Sequence, residues 1–198
     1  FGKTMFEFVQ KIKDKFYRLF FRLFFSSSFQ SYGKKTSVMR PMKIHGAQYI
    51  TLKDKVYIQD NAWLMALRID KKPVLSIGSR TYIGHYAHLS CVNSIIIQED
   101  VLMADKVFIS DNTHGYSKGD VPFKNQDIHN VGSVVIGTGT WLGENVCVIG
   151  AKIGKQSIIA ANSVVTKDVP DYCIAAGSPA KVIKQFNFDK QAWEKVNE

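Results

Sequence analysis

Five histidines are the side chains of this sequence best suited to move a proton near neutral pH. They are His45, His85, His88, His114 and His129. His114 differs from the others because it stands directly before residues 115–135, a stretch of 21 residues that interrupts a regular pattern. A neutral imidazole can take the proton of an attacking hydroxyl group, which typically accelerates a reaction by about 10²- to 10⁴-fold. His114 is therefore a candidate general base at the root of a long loop.

The pattern that this loop interrupts is a repeat of six residues. An aliphatic residue opens each unit, a small residue often follows it, and a small or β-branched residue stands four positions later. The aliphatic positions form five triplets: Leu52, Ile58, Leu64; Ile77, Ile83, Leu89; Ile97, Met103, Ile109; Ile136, Leu142, Val148; and Ile153, Ile159, Val165.

A period of six fits neither an α-helix nor a simple alternating strand. It fits a triangular prism in which each triplet is one coil, the aliphatic residues fill the interior, and coils stack about 4.8 Å apart. Small residues near the corners are expected to let the backbone turn sharply. The repeat thus predicts an all-β solenoid, a parallel β-helix of about five or more coils, with residues 115–135 extruded from it as a loop.

The repeat over residues 44–184 resembles the hexapeptide-repeat acyltransferases, and above all their galactoside, maltose and polysaccharide O-acetyltransferase branch. Residues 136–184 (IGTGTWLGENVCVIGAKIGKQSIIAANSVVTKDVPDYCIAAGSPAKVIK) carry the resemblance almost continuously. The resemblance implies a left-handed β-helix, a homotrimer with active sites between subunits, and acetyl-CoA as co-substrate. It also implies a sugar or polysaccharide acceptor whose hydroxyl attacks the thioester directly.

The resemblance assigns roles to several residues. His114, after the segment Ile109-Ser-Asp-Asn-Thr, matches the catalytic base. The positions that match coenzyme A contacts are Trp141, Gly143, Ala161, Thr166, Lys167 and Lys184. In relatives the backbone amides of the residues that match Gly143 and Ala161 contact the pantetheine arm, and a lysine at position 167 or 184 can meet phosphate as a point charge.

Three further residues are weaker candidates. Asp111, or a backbone carbonyl, could orient the imidazole of His114, although an aspartate there also suits a turn. Ser90 and His88 are candidates for the acceptor side because they lie on the coil below the loop root. Relatives often place an asparagine near Ser90, so the acceptor contacts are not fixed by the resemblance.

The two ends carry other patterns. Residues 1–31 contain a basic amphipathic helix over 3–25, which either lies on an anionic membrane surface or docks on the protein or a neighbouring subunit. The β-helix domain is predicted over residues 32–184. Residues 185–198 are predicted to form a short helix that Asp189 caps.

The composition indicates which binding partners the protein has and in which cellular compartment it works. The net charge of +9 favours phosphate-bearing partners, and the charge alone does not choose between nucleic acid, a nucleotide cofactor and a membrane. The resemblance favours acetyl-CoA and not nucleic acid. Cys91, Cys147 and Cys173 form no CxxC pair, no run of about 20 apolar residues exists, and the first residues are unlike a secretory signal. These features predict a cytoplasmic enzyme, with peripheral contact at the inner face of the membrane as an option.

Three alternatives remain at this point. N-acetylation of an amino sugar makes similar demands on the base. A zinc enzyme of the carbonic anhydrase type needs three converging histidines, whereas His85 and His88 point to opposite faces of a strand and no third ligand is evident. A non-catalytic scaffold could also keep the prism, although it would not need His114. No metal is predicted.

Overall fold

The computed structural model describes residues 4–196 and has three parallel sheets, here called A, B and C. Successive strands join sheets A, B and C in turn, so each coil adds one strand to every sheet, and the described residues contain six such coils. Sheet A contains β1 Ser31–Tyr32, β4 Ile50–Leu52, β7 Val74–Ile77, β10 Ser94–Ile97, β15 Val134–Ile136 and β18 Lys152–Ile153. Sheet C contains β3 Lys43–His45, β6 Trp63–Ala66, β9 His88–Cys91, β12 Phe108–Ser110, β17 Cys147–Ile149 and β20 Val164–Val165.

Sheet B begins with one strand from every coil and then continues. Its coil strands are β2 Ser37–Val38, β5 Tyr57–Ile58, β8 Tyr82–Ile83, β11 Leu102–Met103, β16 Trp141–Leu142 and β19 Ile158–Ile159. The strands β21 Cys173–Gly177, β22 Ala180–Asn187 and β23 Ala192–Lys195 extend the sheet at its far end.

The aliphatic residues of the hexads fill the space between the three sheets. Leu52, Ile77 and Ile97 are in register on adjacent strands of sheet A, and each is at most 1% exposed. The residues four positions later are buried as well, as at Val56 and Thr81. Two interior positions per hexad therefore form the core, which confirms the parallel-sheet architecture that the repeat predicts.

One coil precedes the five triplets that the aliphatic pattern identifies. Tyr32, Val38 and Ile44 also follow each other at a spacing of six, and they pair with the corresponding residues of the coil that begins at Leu52. The aliphatic pattern missed this coil because a tyrosine opens it. Its neighbour on the other side is the N-terminal helix, which accommodates the larger ring.

The corners turn at a different position of the hexad from the one predicted. The third residue after the interior aliphatic residue has a positive φ, as at Lys55 (59°), Arg80 (60°) and Asn145 (58°). Gly78 directly follows its aliphatic residue and serves another purpose. A Cβ there would lie 2.4 Å from the carbonyl carbon of Gln98 in the next coil, so the small residue permits close stacking.

The N-terminal helix α1 spans Met5–Phe25, as the pattern over 3–25 predicted for the described residues. Thr4 and Glu7 form a capping box: the Thr4 hydroxyl accepts from the Glu7 N–H, and the Glu7 carboxylate accepts from the Thr4 N–H. Residues 1–3 lie outside the described part of the chain. Within residues 4–196, no helix has the length and apolar character needed to cross a bilayer.

The predicted C-terminal helix over 185–198 is wrong for the described residues. This segment continues β22 and then forms β23, and these two strands pair in an antiparallel manner. The rings of Phe186 and Trp193 pack edge to face at 5.2 Å, and the side chain of Asn187 accepts from the N–H of Asp189 in the turn. Pairing with the open edge of sheet B outweighs the local helix signal because that edge would otherwise expose unpaired backbone groups. Residues 197–198 lie outside the described part.

Replacement of Gly78 by Ala tests the stacking role of the small residues. The added methyl group meets backbone of the next coil, so we expect the free energy of unfolding to fall by about 1–3 kcal/mol. Gly119→Ala is the matched control because no atom of the described residues lies within 4 Å of a Cβ at that position. Urea unfolding at one protein concentration measures both variants. Equal stability of the two would show that coil stacking does not require glycine here.

Candidate active site

The long loop leaves the fourth coil as a two-stranded ribbon. After β12, β13 Asn112–His114 pairs in antiparallel register with β14 Ile128–Asn130. The coil pattern resumes at β15, so the ribbon and its tip together make up the predicted interruption. His114 thus lies on an ordered strand at the corner between sheets C and A.

The root of this ribbon is fixed by the buried carboxylate of Asp111. Its oxygens accept hydrogen bonds from the backbone N–H groups of Val92 at 2.9 Å, Asn93 at 2.8 Å and Ser94 at 2.7 Å. These donors form the corner of the preceding coil. Burial, and to a smaller extent the charge of Asp111, raises the pKa of the neighbouring Cys91 thiol to about 12.

This arrangement changes the role predicted for Asp111. Among the described residues, its carboxylate is bonded to the corner and to the Asn112 side chain, and none of its hydrogen bonds reaches His114. A buried carboxylate surrounded by backbone N–H donors is stabilised where it is and cannot turn toward an exposed ring. Asp111 therefore holds the loop root in place.

His114 is exposed, and within residues 4–196 no hydrogen bond holds its imidazole. Side chains two apart on a strand point to the same face, so His114 shares a face of the ribbon with Asn112. The Asn112 amide donates to the carbonyl oxygen of Ser90 at 2.8 Å and lies 3.1 Å from its hydroxyl. The structure thereby brings Ser90, Asn112 and His114 to one side of the ribbon.

Asn112 is the site residue that the sequence analysis missed. The expected asparagine near Ser90 is supplied from the ribbon, 22 positions later in the sequence. Its place two residues before His114 was the available signal, since a strand would put both side chains on one face. His129 takes the other face because it lies opposite Thr113.

His88 lies on the same outer face of sheet C but in a different environment. Its ring stacks on Trp63 with centroids 4.3 Å apart and tilts against Phe108 at 5.1 Å. Burial lowers the pKa of His88, which favours the neutral imidazole. Its Nε2 atom and the Trp63 Nε1 atom are buried without a hydrogen-bond partner in the described residues. His88 is thus part of an aromatic ladder beside Ser90.

The positions predicted to meet coenzyme A lie mainly on another side of the prism. Trp141 is 48% exposed on the outer face of sheet B, and it is in one row with Ile158, Ile174 and Lys184 on the following strands. Three strand spacings separate Trp141 from Lys184, which corresponds to about 14 Å. Lys184 is half-buried, and its side chain belongs to this row on the outer face of sheet B.

Gly143 and Ala161 occupy the corner between sheets B and C in consecutive coils. The Gly143 N–H donates to the Ile159 carbonyl at 2.8 Å, so this amide is already bonded within the prism, and the contact of Gly143 with pantetheine stays a prediction. The N–H of Ala161 has no acceptor among the described residues, and Ala161 is exposed. The Ala161 amide remains suited to a ligand.

Thr166 and Lys167 are exposed and directly follow β20, the last strand of sheet C. They lie at the corner between sheets C and A, two coils beyond the ribbon. In a triangular prism this corner is opposite sheet B. One chain therefore does not bring Trp141 and Lys184 to His114.

The described residues contain no group of three or more His, Cys, Asp or Glu side chains placed to hold a metal ion. The zinc alternative thus finds no ligand set in this part of the chain.

Comparisons with known proteins identify the family. The chain is 37% identical over 141 residues to a protein of Escherichia coli K12 named "Putative lipopolysaccharide biosynthesis O-acetyl transferase WbbJ", with 67% of this chain and 72% of that protein covered. It is 30% identical over 135 residues to the galactoside O-acetyltransferase of the same organism, which covers 66% of this chain and 64% of that enzyme. No family model matches the chain.

Solved structures show the same fold. The N-acyltransferase AntD from Bacillus cereus, solved in complex with dTDP and 3-hydroxybutyryl-CoA, superposes with a TM-score of 0.68 at 19% identity, over 83% of this chain and 87% of that one. A hexapeptide-repeat acetyltransferase from Vibrio cholerae superposes with a TM-score of 0.55 at 21% identity, over 81% and 76%. At these identities the likeness concerns the fold alone.

The identity to these two relatives assigns the chain to a class of enzymes, the acyltransferases. The chain belongs to the hexapeptide-repeat acyltransferases, in the branch that contains galactoside and polysaccharide O-acetyltransferases. The predicted family and enzyme class are thereby confirmed.

Asp111→Asn tests the structural role of the buried carboxylate. An amide directs an N–H₂ group at backbone N–H donors, so we expect the free energy of unfolding to fall by about 2–3 kcal/mol. His114→Ala should change the free energy of unfolding by less than about 0.5 kcal/mol, because the ring is exposed and has no hydrogen-bond partner in residues 4–196. Urea unfolding of both variants checks this. A stable Asp111→Asn protein would contradict the assignment.

Proposed function

We propose that this protein transfers the acetyl group of acetyl-CoA to a hydroxyl of a sugar or polysaccharide, with His114 as the general base. One observation carries the proposal: an exposed imidazole, free of protein partners in residues 4–196, shares a ribbon face with the polar groups of Asn112 and Ser90. The family membership and the names of the relatives support the reaction type. The prism is proposed to wind in the left-handed sense of the family, and the enzyme to work in the cytoplasm.

The chemistry needs one proton acceptor and one correctly placed thioester. The acceptor oxygen attacks the carbonyl carbon of the thioester while its proton passes to the His114 imidazole. The tetrahedral intermediate then breaks its carbon–sulfur bond, and the coenzyme A thiolate leaves and takes up the proton. An N–H donor has to meet the oxyanion during this step.

Acetyl-CoA is proposed to lie along the row of sheet B that contains Trp141 and Lys184. The Ala161 N–H is a suitable donor for an amide carbonyl of the pantetheine arm. Lys184 supplies positive charge for a phosphate group from this row, and Lys167 of a neighbouring subunit would supply more, in agreement with the net charge of +9. The Trp141 ring offers an exposed apolar surface beside them.

The acceptor is proposed to bind at the ribbon root. The half-buried Asn112 is proposed to bind a hydroxyl group of the sugar, and the buried Ser90 bonds to the Asn112 amide and holds it in place. The Trp63–His88–Phe108 ladder extends this surface on sheet C. Burial lowers the pKa of His88, which favours its neutral form on the acceptor side.

A homotrimer is proposed because the two halves of the site lie on different sides of one chain. Symmetric packing can place the ribbon corner of one subunit against sheet B of its neighbour. His114 of one subunit would then meet the acetyl-CoA held by the other. Light scattering that shows a stable monomer would overturn this arrangement.

His114→Ala should lower kcat by about 10²- to 10⁴-fold, because only the proton acceptor is lost. Binding of acetyl-CoA, measured by calorimetry, should be unchanged. His129→Ala is the matched control on the opposite face of the same ribbon, and its kcat should stay within about threefold of the wild type. Coenzyme A release is followed with sugars, oligosaccharides and amino sugars. If His114→Ala kept full activity, or if only amino sugars reacted, the mechanism or the O-acceptor would be wrong.

Subunit complementation tests the shared site. His114→Ala and the double variant Trp141→Glu, Lys184→Glu should each be inactive as pure proteins. In trimers formed from an equal mixture, about a quarter of the sites would combine an intact ribbon with an intact sheet B row. Activity should therefore reappear on mixing after subunit exchange. A mixture without activity, in which mixed trimers are shown by mass spectrometry, would place both halves in one subunit.

A further inference from the structure

Helix α1 is attached to the prism by its polar side. The Asp14 carboxylate contacts the Arg40 guanidinium at 2.8 Å, and Arg40 also contacts Asp60 at 2.8 Å. Arg22 donates to the carbonyl oxygens of Gly33 and Thr36, both at 3.0 Å. These contacts fix which side of the helix faces the first two coils.

The opposite side of α1, here called the outer face, is apolar and uncovered. At about 100° per residue, ten large apolar side chains fall within less than half of the helix circumference. Their exposed fractions run from 40% to 77%. They are Met5, Phe6, Phe8, Val9, Ile12, Phe16, Leu19, Phe20, Leu23 and Phe24. A helix on a water-facing surface normally shows the reverse arrangement, and an exposed apolar face of this size is typical of an interaction site.

The charges beside the outer face identify that partner. Lys13 and Lys15 are exposed and flank the face on its two margins. The acids of the helix lie on the attached side, with Glu7 in the capping box and Asp14 paired to Arg40. A second copy of this face would bring lysines against lysines. An anionic lipid surface complements both the apolar residues and the lysines.

We propose that the outer face of α1 inserts into the interface of an anionic bilayer, with the helix axis in the membrane plane. The helix of 21 residues is about 30 Å long, and its apolar side chains would enter the boundary between headgroups and acyl chains. Because the polar side is bonded to the prism, the helix binds the membrane without leaving the protein. The proposal does not rest on the acetyl-transfer reaction.

Co-sedimentation of the full chain with vesicles tests the proposal, without either substrate. The vesicles contain phosphatidylcholine alone or phosphatidylcholine with phosphatidylglycerol. The variant Phe16→Glu, Leu23→Glu changes two central residues of the outer face, which are 68% and 69% exposed. Its matched control, Ile183→Glu, Val196→Glu, makes the same kind of change at two residues that are 43% and 42% exposed at the other end of sheet B. Lys13→Gln, Lys15→Gln removes the flanking charges.

The wild type and the control should bind phosphatidylglycerol vesicles alike, and the outer-face variant should bind at least about tenfold more weakly. The lysine variant should lose roughly fivefold per lysine on anionic vesicles and little on neutral ones. Circular dichroism and light scattering check folding and subunit association. If the outer-face variant does not fold, the binding of the lysine variant to anionic vesicles tests the proposal.

Three results would overturn the proposal. The first is a wild type that does not bind anionic vesicles. The second is an outer-face variant that folds and binds as tightly as the wild type. The third, which applies if the outer-face variant does not fold, is a lysine variant that binds anionic vesicles as tightly as the wild type. Loss of subunit association in the outer-face variant, together with the first result, would assign the face to a second copy of the chain.

Discussion

The whole structure depends on hydrogen bonding between successive coils. Most coil strands are two to four residues long and could not persist alone, so each obtains its backbone partners from the coils on either side. This requires equal coils, interior side chains of similar volume, and corners without protruding Cβ atoms toward the next coil. The hexad satisfies these three demands together, and a segment that cannot satisfy them has to leave the prism.

The position of the ribbon follows from this constraint. An insertion can depart only at a corner, where no strand pairing is interrupted, and the buried Asp111 closes the gap that it leaves by binding the N–H groups of the previous coil. The same geometry separates the ribbon from sheet B by the width of the prism. A solenoid of this kind gains a two-sided site only by association with another copy, and that is why the proposed reaction and the proposed trimer depend on each other.

The first and last coils have a neighbouring coil on one side only, and the two ends of the prism are covered in different ways. At one end, α1 lies on the first coils through Asp14, Arg22 and the buried Phe21, and the phenylalanines of its outer face point away from them. At the other end, β22 and β23 extend sheet B by antiparallel pairing and carry their own aromatic cluster. The outer face of α1 thus covers one end of the prism with an apolar surface, and the strands β22 and β23 extend the other end. The two ends of the enzyme therefore differ in chemical character.

The sequence by itself determined the repeat, the three parallel sheets, the enzyme family and the candidate base, because interior volume and a six-residue period are local properties of the chain. Only the tertiary structure decided the rest. In the folded chain, Asp111 binds the backbone of the coil corner and the Asn112 amide bonds to Ser90. The Gly143 N–H bonds to the next coil, and the C-terminal segment forms strands. It also showed that His114 and Trp141 lie on different sides. The contacts of these residues depend on which backbone N–H and C=O groups lack partners after the coils have stacked. Those groups can be identified only when residues far apart in sequence lie side by side in the fold.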